Sequence, residues 1–247
     1  MIALNRTQLL GHRGARSEAL ENTLFGFEHA KRLQSLGLAG IEFDVQLTFD
    51  GHLVVFHDDT LQRLCGNQSR IDQLTLKEIR RQLQSGHPII TLETLVQVLN
   101  ASDAIAATFS HIELEIKTHG RTSHQKLIQA LNTAFSGAEI HKLPIVLTTF
   151  DRQLLQQLQR HPVLKQIPRG LLIRTPEALT YAANSALQLG CQQLGVYYPL
   201  LTQAVIQNCH RYGLKVSAWT VNDLEVVKQL VFWQVDVIIT DIPTQIL

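Results

Sequence analysis

Few cysteines, almost no net charge and no long apolar run: each shortage removes a class of protein. The three cysteines, Cys65, Cys191 and Cys209, form neither a CxxC pair nor a disulfide-rich framework, which fits a reducing, cytoplasmic setting. The 22 Lys and Arg against 21 Asp and Glu leave a formal charge of +1. That is too little to generate a field for a polyanion, so nucleic acid is not an expected partner. The longest stretch without Asp, Glu, Lys or Arg, residues 178–210, is broken by Asn184, Gln188, Gly190, Gln192, Gln193 and Pro199, so no apolar run of about 20 residues occurs. The opening stretch MIALNRTQLLGHRG has neither an apolar core of signal-peptide length nor a small-residue cleavage site. Secretion and stable membrane insertion are therefore not expected. Pro-, Gly- or Ser-rich tracts and close internal repeats are also missing. What remains is a chain of 247 residues, 45% hydrophobic and 17% charged. One domain spanning residues 1–247 is the expectation, with nothing to indicate its oligomeric state.

Short β-branched runs predict eight strands, at Gln8–His12, Gly40–Gln46, His111–Lys117, Pro144–Thr149, Gly170–Arg174, Leu194–Tyr198, Lys215–Thr220 and Val235–Thr240. Helical patterns lie between most of them, at Thr23–Leu36, Leu92–Leu99, Ser123–Ala134, Arg152–Gln159, Pro176–Leu189, Gln203–Tyr212 and Leu224–Phe232. Asp151, Thr175, Thr202 and Asp223 precede helices as N-caps, while Gly190 and Gly213 follow them where a left-handed C-cap belongs. Eight strands alternating with helices over a chain of this length predict a (β/α)8 TIM barrel in the α/β class. A doubly wound open sheet is the alternative, but GHRGAR lacks the GxGxxG of its first turn. One connection breaks the alternation. After the second strand, Thr48-Phe49-Asp50-Gly51 leads straight into Leu53–Phe56, with no room for a crossover helix. This reads as a hairpin opening a small insertion of about residues 46–90.

Chemistry in such a barrel gathers at the C-terminal ends of the strands. Side chains alternate along a strand, so Glu42 and Asp44 share one face, as do Glu113, Glu115 and Lys117 on the next strand. Carboxylates sent into one interior call for a cation, and an all-oxygen donor set suits Mg²⁺ or Ca²⁺ better than zinc. The alternative is internal ion pairing among Glu113, Glu115 and Lys117, and spacing alone leaves both open. If Asp50 and Gly51 are a two-residue hairpin loop, Asp44 stands opposite His57 and an imidazole joins the carboxylates. The first strand ends in Gly11-His12-Arg13-Gly14, which adds a second titratable ring and a guanidinium fork for an anion. Together these groups supply acid, base and anion clamps for phosphoryl chemistry. Glu113 lies one step deeper than Glu115, as a buried anchor. His29, His87, His124, His141, His161 and His210 fall on helices or turns, where surface exposure is expected; His119 lies just past the third strand, near the proposed site.

GHRG at 11–14, LENT at 20–23, EFDVQLTFDGHLVVFHDDTLQR at 42–63, ELEIK at 113–117, WTVN at 219–222 and TDIP at 240–243 resemble, in order and spacing, the motifs of the glycerophosphodiester phosphodiesterases. The resemblance runs from about residue 9 to residue 243, and the long hairpin motif is its most specific part. It implies a divalent-metal-dependent barrel enzyme that hydrolyses small-molecule glycerophosphodiesters to glycerol 3-phosphate and an alcohol. It further implies that Glu42, Asp44 and Glu115 are metal ligands, that His12 and His57 are the catalytic acid/base pair, that Arg13 and Lys117 hold the phosphate, and that Trp219 walls the glycerol pocket. Trp219 read without the resemblance is equally a core aromatic at a strand end. Three departures from the family pattern stand out: Leu20 replaces the usual Pro before ENT, Thr149 the usual Ser before Phe150, and Leu64-Cys65-Gly66-Asn67 a Thr/Ser-rich turn after Arg63. Two other functions share the scaffold. One is a lysophospholipase D acting on lysophospholipids. The other is a non-catalytic metal- or phosphate-binding barrel, which would have no need of a histidine pair.

Overall fold

In the computed structural model, which describes residues 2–83, 86–101 and 109–247, nine strands form one sheet. They are β1 (Gln8–His12), β2 (Gly40–Leu47), β3 (Leu53–Val55), β4 (His111–Ile116), β5 (Ile145–Thr149), β6 (Arg169–Ile173), β7 (Gln193–Tyr197), β8 (Lys215–Trp219) and β9 (Val237–Thr240). All except β3 pair in parallel, and β1 closes the ring by pairing with both β9 and β2. The eight expected strands are therefore the barrel, with ends displaced by a residue or two. Outward aliphatic side chains of the strands, such as Ile41, Phe43, Val45, Ile112 and Leu114, pack under the surrounding helices in one continuous core. Closing a sheet of period two puts every second side chain inside, and the inward positions hold polar groups such as Glu42, Asp44 and Glu113 together with a small apolar cluster of Leu10, Val237 and Ile239.

The helices begin where their caps predict. The side chains of Thr23, Asp151, Thr175, Thr202 and Asp223 accept hydrogen bonds from backbone N–H groups of the first turn. Gly190 and Gly213 take φ of +65° and +72°. Two helices are less continuous than their periodicity suggests. The first α-helix ends at Leu33 and gives way to a 3-10 turn over Gln34–Leu36. The expected Pro176–Leu189 helix divides into Pro176–Thr180 and Ala182–Gln188. At the break, Thr180 Oγ1 bonds back to the Pro176 carbonyl at 3.3 Å and competes with the backbone ladder.

Residues 46–90 leave the barrel rim as an antiparallel hairpin followed by short helices at Gln62–Cys65 and Leu76–Leu83. They carry a small core of their own, Val54, Phe56, Leu61, Ile71, Leu76, Ile79, Leu83 and Ile89. The hairpin register differs from expectation. Val45 pairs with Val55 and Gln46 with Val54, and the Phe56 N–H donates to the Asp44 carbonyl, so Phe56 and not His57 stands opposite Asp44. The cause is the turn. Phe49, Asp50 and Gly51 form a three-residue loop, closed by the Thr48 N–H to the His52 carbonyl, with Gly51 at φ +87°. A three-residue loop ending in a left-handed glycine shifts pairing by one relative to a two-residue turn.

Candidate active site

Side chains from the neighbouring strands β2 and β4 converge on one cluster. Glu42 and Asp44 come from β2 and Glu115 from β4, whose register sets Asp44 beside Glu115 and Glu42 beside Glu113. The carboxylates of Glu42, Asp44 and Glu115 each offer an oxygen within 4.8 Å of the others. Lys117 lies against them, its Nζ 3.1 Å from Asp44 Oδ1 and 2.7 Å from Glu115 Oε1. Burial, followed by the charges of Asp44 and Glu115, pushes the Glu42 carboxyl well above the usual carboxylate range. Burial also raises Glu115, partly offset by Lys117. Burial acts on Asp44 in the same sense, but Lys117, Arg13 and His57 together with a hydrogen bond from Asn22 outweigh it and hold Asp44 low. The cluster is thus a crowd of oxygen donors in which burial and mutual repulsion work against ionisation of Glu42 and Glu115. Asp44 Oδ1 is buried and has the Lys117 ammonium beside it, but in no well-aligned hydrogen bond. This donor set fits a hard divalent cation, and Glu42, Asp44 and Glu115 are the residues that could hold one.

Arg13 is buried beside them. Its backbone N–H donates to Glu42 Oε2 at 3.2 Å, its Nη1 to Glu21 Oε1 at 3.1 Å, and its Nε lies 3.4 Å from Asp44 Oδ2. Both Arg13 and Asn22 have left-handed backbones, φ +52° and +53°. The strain is held by local bonds: the Asn22 N–H donates to the Arg13 carbonyl and Asn22 Nδ2 to Asp44 Oδ2 at 3.0 Å. Backbone kept in such a region tends to mark sites where geometry is fixed for use.

Each histidine of the expected pair is oriented by a carboxylate at Nδ1. His12 Nδ1 lies 2.6 Å from Asp241 Oδ1, with its Nε2 3.8 Å from Glu42 Oε2. His57 Nδ1 lies 2.8 Å from Asp58 Oδ1. Despite the shifted hairpin register, His57 remains near enough to Asp44 for that charge to act on its ring. Burial lowers the pKa of both imidazoles. The bond to Asp241 opposes this at His12, and the charge of Asp44, then the bond to Asp58, oppose it at His57.

Trp219, at the end of β8, stands in an aromatic wall, 5.7 Å from the Phe150 ring edge-to-face and 5.6 Å from Tyr197. The Arg174 guanidinium lies over the Phe150 ring, 5.1 Å from its centroid. Glu113 is the buried anchor expected: it accepts from Gln193 Nε2 at 2.7 Å, deep in the barrel. His119 bonds Gln46 Oε1 and Asp59 at the rim. His87 is not a surface residue. It is 2% exposed, its Nε2 lies 2.8 Å from the Glu21 carbonyl, and its ring meets Phe56 edge-on. It is trapped where the insertion folds back on the first loop. His29, His124 and His161 are half-buried, while His141 and His210 are exposed as expected.

Several members of the site carried no assigned role in the sequence: Glu21, Asn22, Asp58, Arg63, Asn222 and Asp241. Their signals were present, in LENT, in the carboxylate directly after His57, in WTVN and in TDIP.

Comparison with known proteins points in one direction. The model of the glycerophosphoryl diester phosphodiesterase family matches residues 12–245. A glycerophosphodiester phosphodiesterase from Caldanaerobacter subterraneus subsp. tengcongensis is 28% identical over 246 residues, covering 96% of this chain and 95% of that one. The crystal structure of the Thermotoga maritima glycerophosphodiester phosphodiesterase is 26% identical, with a TM-score of 0.74 over 97% of this chain and 96% of that one. The same fold, at a TM-score of 0.80 and 24% identity over 97% and 94% of the two chains, is seen in an Oleispira antarctica phosphodiesterase in complex with the product sn-glycerol-3-phosphate.

Proposed function

This chain belongs to the glycerophosphoryl diester phosphodiesterase family, and from that premise we propose that it hydrolyses glycerophosphodiesters to glycerol 3-phosphate and an alcohol, using a divalent cation, Mg²⁺ or Ca²⁺. The observation that carries the reading is the convergence of Glu42, Asp44 and Glu115 beside two histidines whose Nδ1 atoms are each tied to a carboxylate. A cation held by the three carboxylates would supply charge neutralisation at the phosphoryl oxygens. Arg13 and Lys117 bind the phosphate from the same side of the barrel mouth. His12 and His57 move protons through Nε2, one from the attacking oxygen and the other to the leaving oxygen. Their lowered pKa values favour the neutral ring that a base requires, and Asp241 and Asp58 stabilise the protonated form during transfer. Trp219 walls the glycerol pocket. Residues 46–90 act as an insertion within one catalytic domain, since His57 comes from the insertion and His12 from the barrel.

No helix among the described residues is long and apolar enough to cross a membrane, and the substrate we assign is a small molecule. Turnover of glycerophosphocholine against lysophosphatidylcholine, with and without chelator, tests the reading. Cleavage of the first, lost on chelation, is expected. Preference for the lysolipid would make the protein a lysophospholipase D, and binding without turnover would make it a non-catalytic barrel.

A further inference from the structure

Arg63 lies on the short helix Gln62–Cys65 of the insertion with its side chain about half exposed, and its guanidinium spans two carboxylates, the buried Glu21 and the half-buried Asp58. Its Nε donates to Asp58 Oδ2 at 2.6 Å, while Nη1 and Nη2 donate to Glu21 Oε2 and Oε1 at 3.2 and 2.5 Å. The remaining oxygen of Asp58 holds His57 Nδ1, and Glu21 Oε1 also accepts from Arg13 Nη1. His57, Asp58, Arg63, Glu21 and Arg13 thus form one unbroken chain of charge-assisted bonds joining the insertion to the loop after β1. His87, through the Glu21 carbonyl, fastens the same two segments a second time.

We propose that Arg63 is a positioning residue for the reaction, aligning His57 through Asp58 and Arg13 through Glu21. The inference rests on the roles given above to His57 and Arg13. A planar fork with five donors can engage two carboxylates at once, which a lysine ammonium cannot do with fixed geometry. Asp58 adjoins His57 in the chain and its carboxylate would turn freely without an outer partner, so the ring it orients would lose its fixed direction. Glu21 without Arg63 keeps the Arg13 fork and a distant Arg16, whose Nε is 3.8 Å away. The predicted consequence divides in two: the Asp58 branch governs proton transfer and hence kcat, and the Glu21 branch governs the phosphate clamp and hence KM.

The test compares Arg63→Ala, Arg63→Lys, Asp58→Asn and the Arg63→Ala/Asp58→Asn pair, with glycerophosphocholine as substrate and melting temperature as the folding control. Arg63→Ala should lower kcat/KM by about 10- to 100-fold, the usual cost of removing an outer orienting partner, and Arg63→Lys should recover part of it. In the Asp58→Asn background, Arg63→Ala should raise KM but leave kcat nearly unchanged. Nitrogen-15 spectra of the His57 ring give a readout independent of turnover: the Nδ1–H tautomer should lose population in Arg63→Ala. Full additivity of the two substitutions on kcat, or a wild-type tautomer together with wild-type kcat/KM in Arg63→Ala, would overturn the proposal. If the wild-type protein shows no turnover, the functional reading fails, and the tautomer measurement still decides whether Arg63 orients His57.

Discussion

His12 Nδ1 and Asp241 Oδ1 lie 2.6 Å apart, although 229 residues separate them in the chain. The contact exists because β1 and β9 are neighbours in the closed barrel, with Gly11 in register with Thr240. Asp241 is itself held by Asn222, whose Nδ2 donates to Oδ2 at 2.8 Å and whose Oδ1 accepts the Asp241 N–H. Burial would raise the Asp241 carboxyl, but the bond from His12 and the charges around it outweigh burial and keep it ionised.

Asp241→Asn therefore leaves the ring without its anionic partner. We expect kcat to fall by about 10²-fold or more, since a misdirected acid or base forfeits most of its contribution, with little change in melting temperature. Steady-state kinetics with a thermal melt checks this; near wild-type kcat would make the pairing structural only.

Cation binding should release protons. Glu42 is pushed up by burial and by its acidic neighbours, and a carboxyl must lose its proton to become a ligand. Calorimetric titration with Mg²⁺ or Ca²⁺ at about pH 6, in buffers of different ionisation enthalpy, should give buffer-dependent heats. Glu42→Gln should reduce that dependence, leaving the smaller share from Glu115, whose carboxyl burial also raises. Heats identical in all buffers for the wild type would contradict it.

Arg13→Lys keeps the charge but removes the fork that reaches Glu21 and lies beside Asp44. A drop in kcat/KM of about tenfold or more is expected. An unchanged value would mean that the guanidinium geometry has no part in recognition.

The hairpin turn is tied to the insertion by Asp50, whose Oδ1 accepts from Thr48 Oγ1 at 2.7 Å and from the Leu76 N–H at 3.0 Å. What burial it has would raise its pKa, but these bonds win and lower it. A depressed folded-state pKa adds stability above the unfolded value of about 3.9 and loses it as pH falls through the folded one. Asp50→Asn should therefore reduce urea stability at neutral pH, and the difference from wild type should shrink below about pH 3. A pH-independent difference would count against this linkage.

Gly26 sits in the first helix, where alanine ordinarily stabilises. Here a Cβ would lie 2.5 Å from the Leu20 carbonyl oxygen and 3.7 Å from that of Arg13. Gly26→Ala should lower the melting temperature and also disturb turnover, because the backbone it displaces is the loop holding Arg13, Glu21 and Asn22. A higher melting temperature would mean that the loop yields without cost.

The sequence by itself determined the barrel and the face on which the acids lie. Both follow from local periodicity: Glu42 with Asp44, and Glu113 with Glu115, alternate with aliphatics, and a strand has no other way to dispose of them. N-caps such as Asp151 and Thr202 were legible for the same reason, being decided within one helical turn. The tertiary structure decided the partners. Asp241 reaches His12 only when β9 closes on β1, and Arg63 reaches Glu21 only when the insertion core packs over the first loop, burying His87 in passing. The hairpin register hinged on whether the loop held two residues or three, a choice joined to the bond between Asp50 and the Leu76 N–H, 26 residues away. Pairings of that kind depend on how rigid elements come together in space, and a one-dimensional pattern of residue types does not specify that.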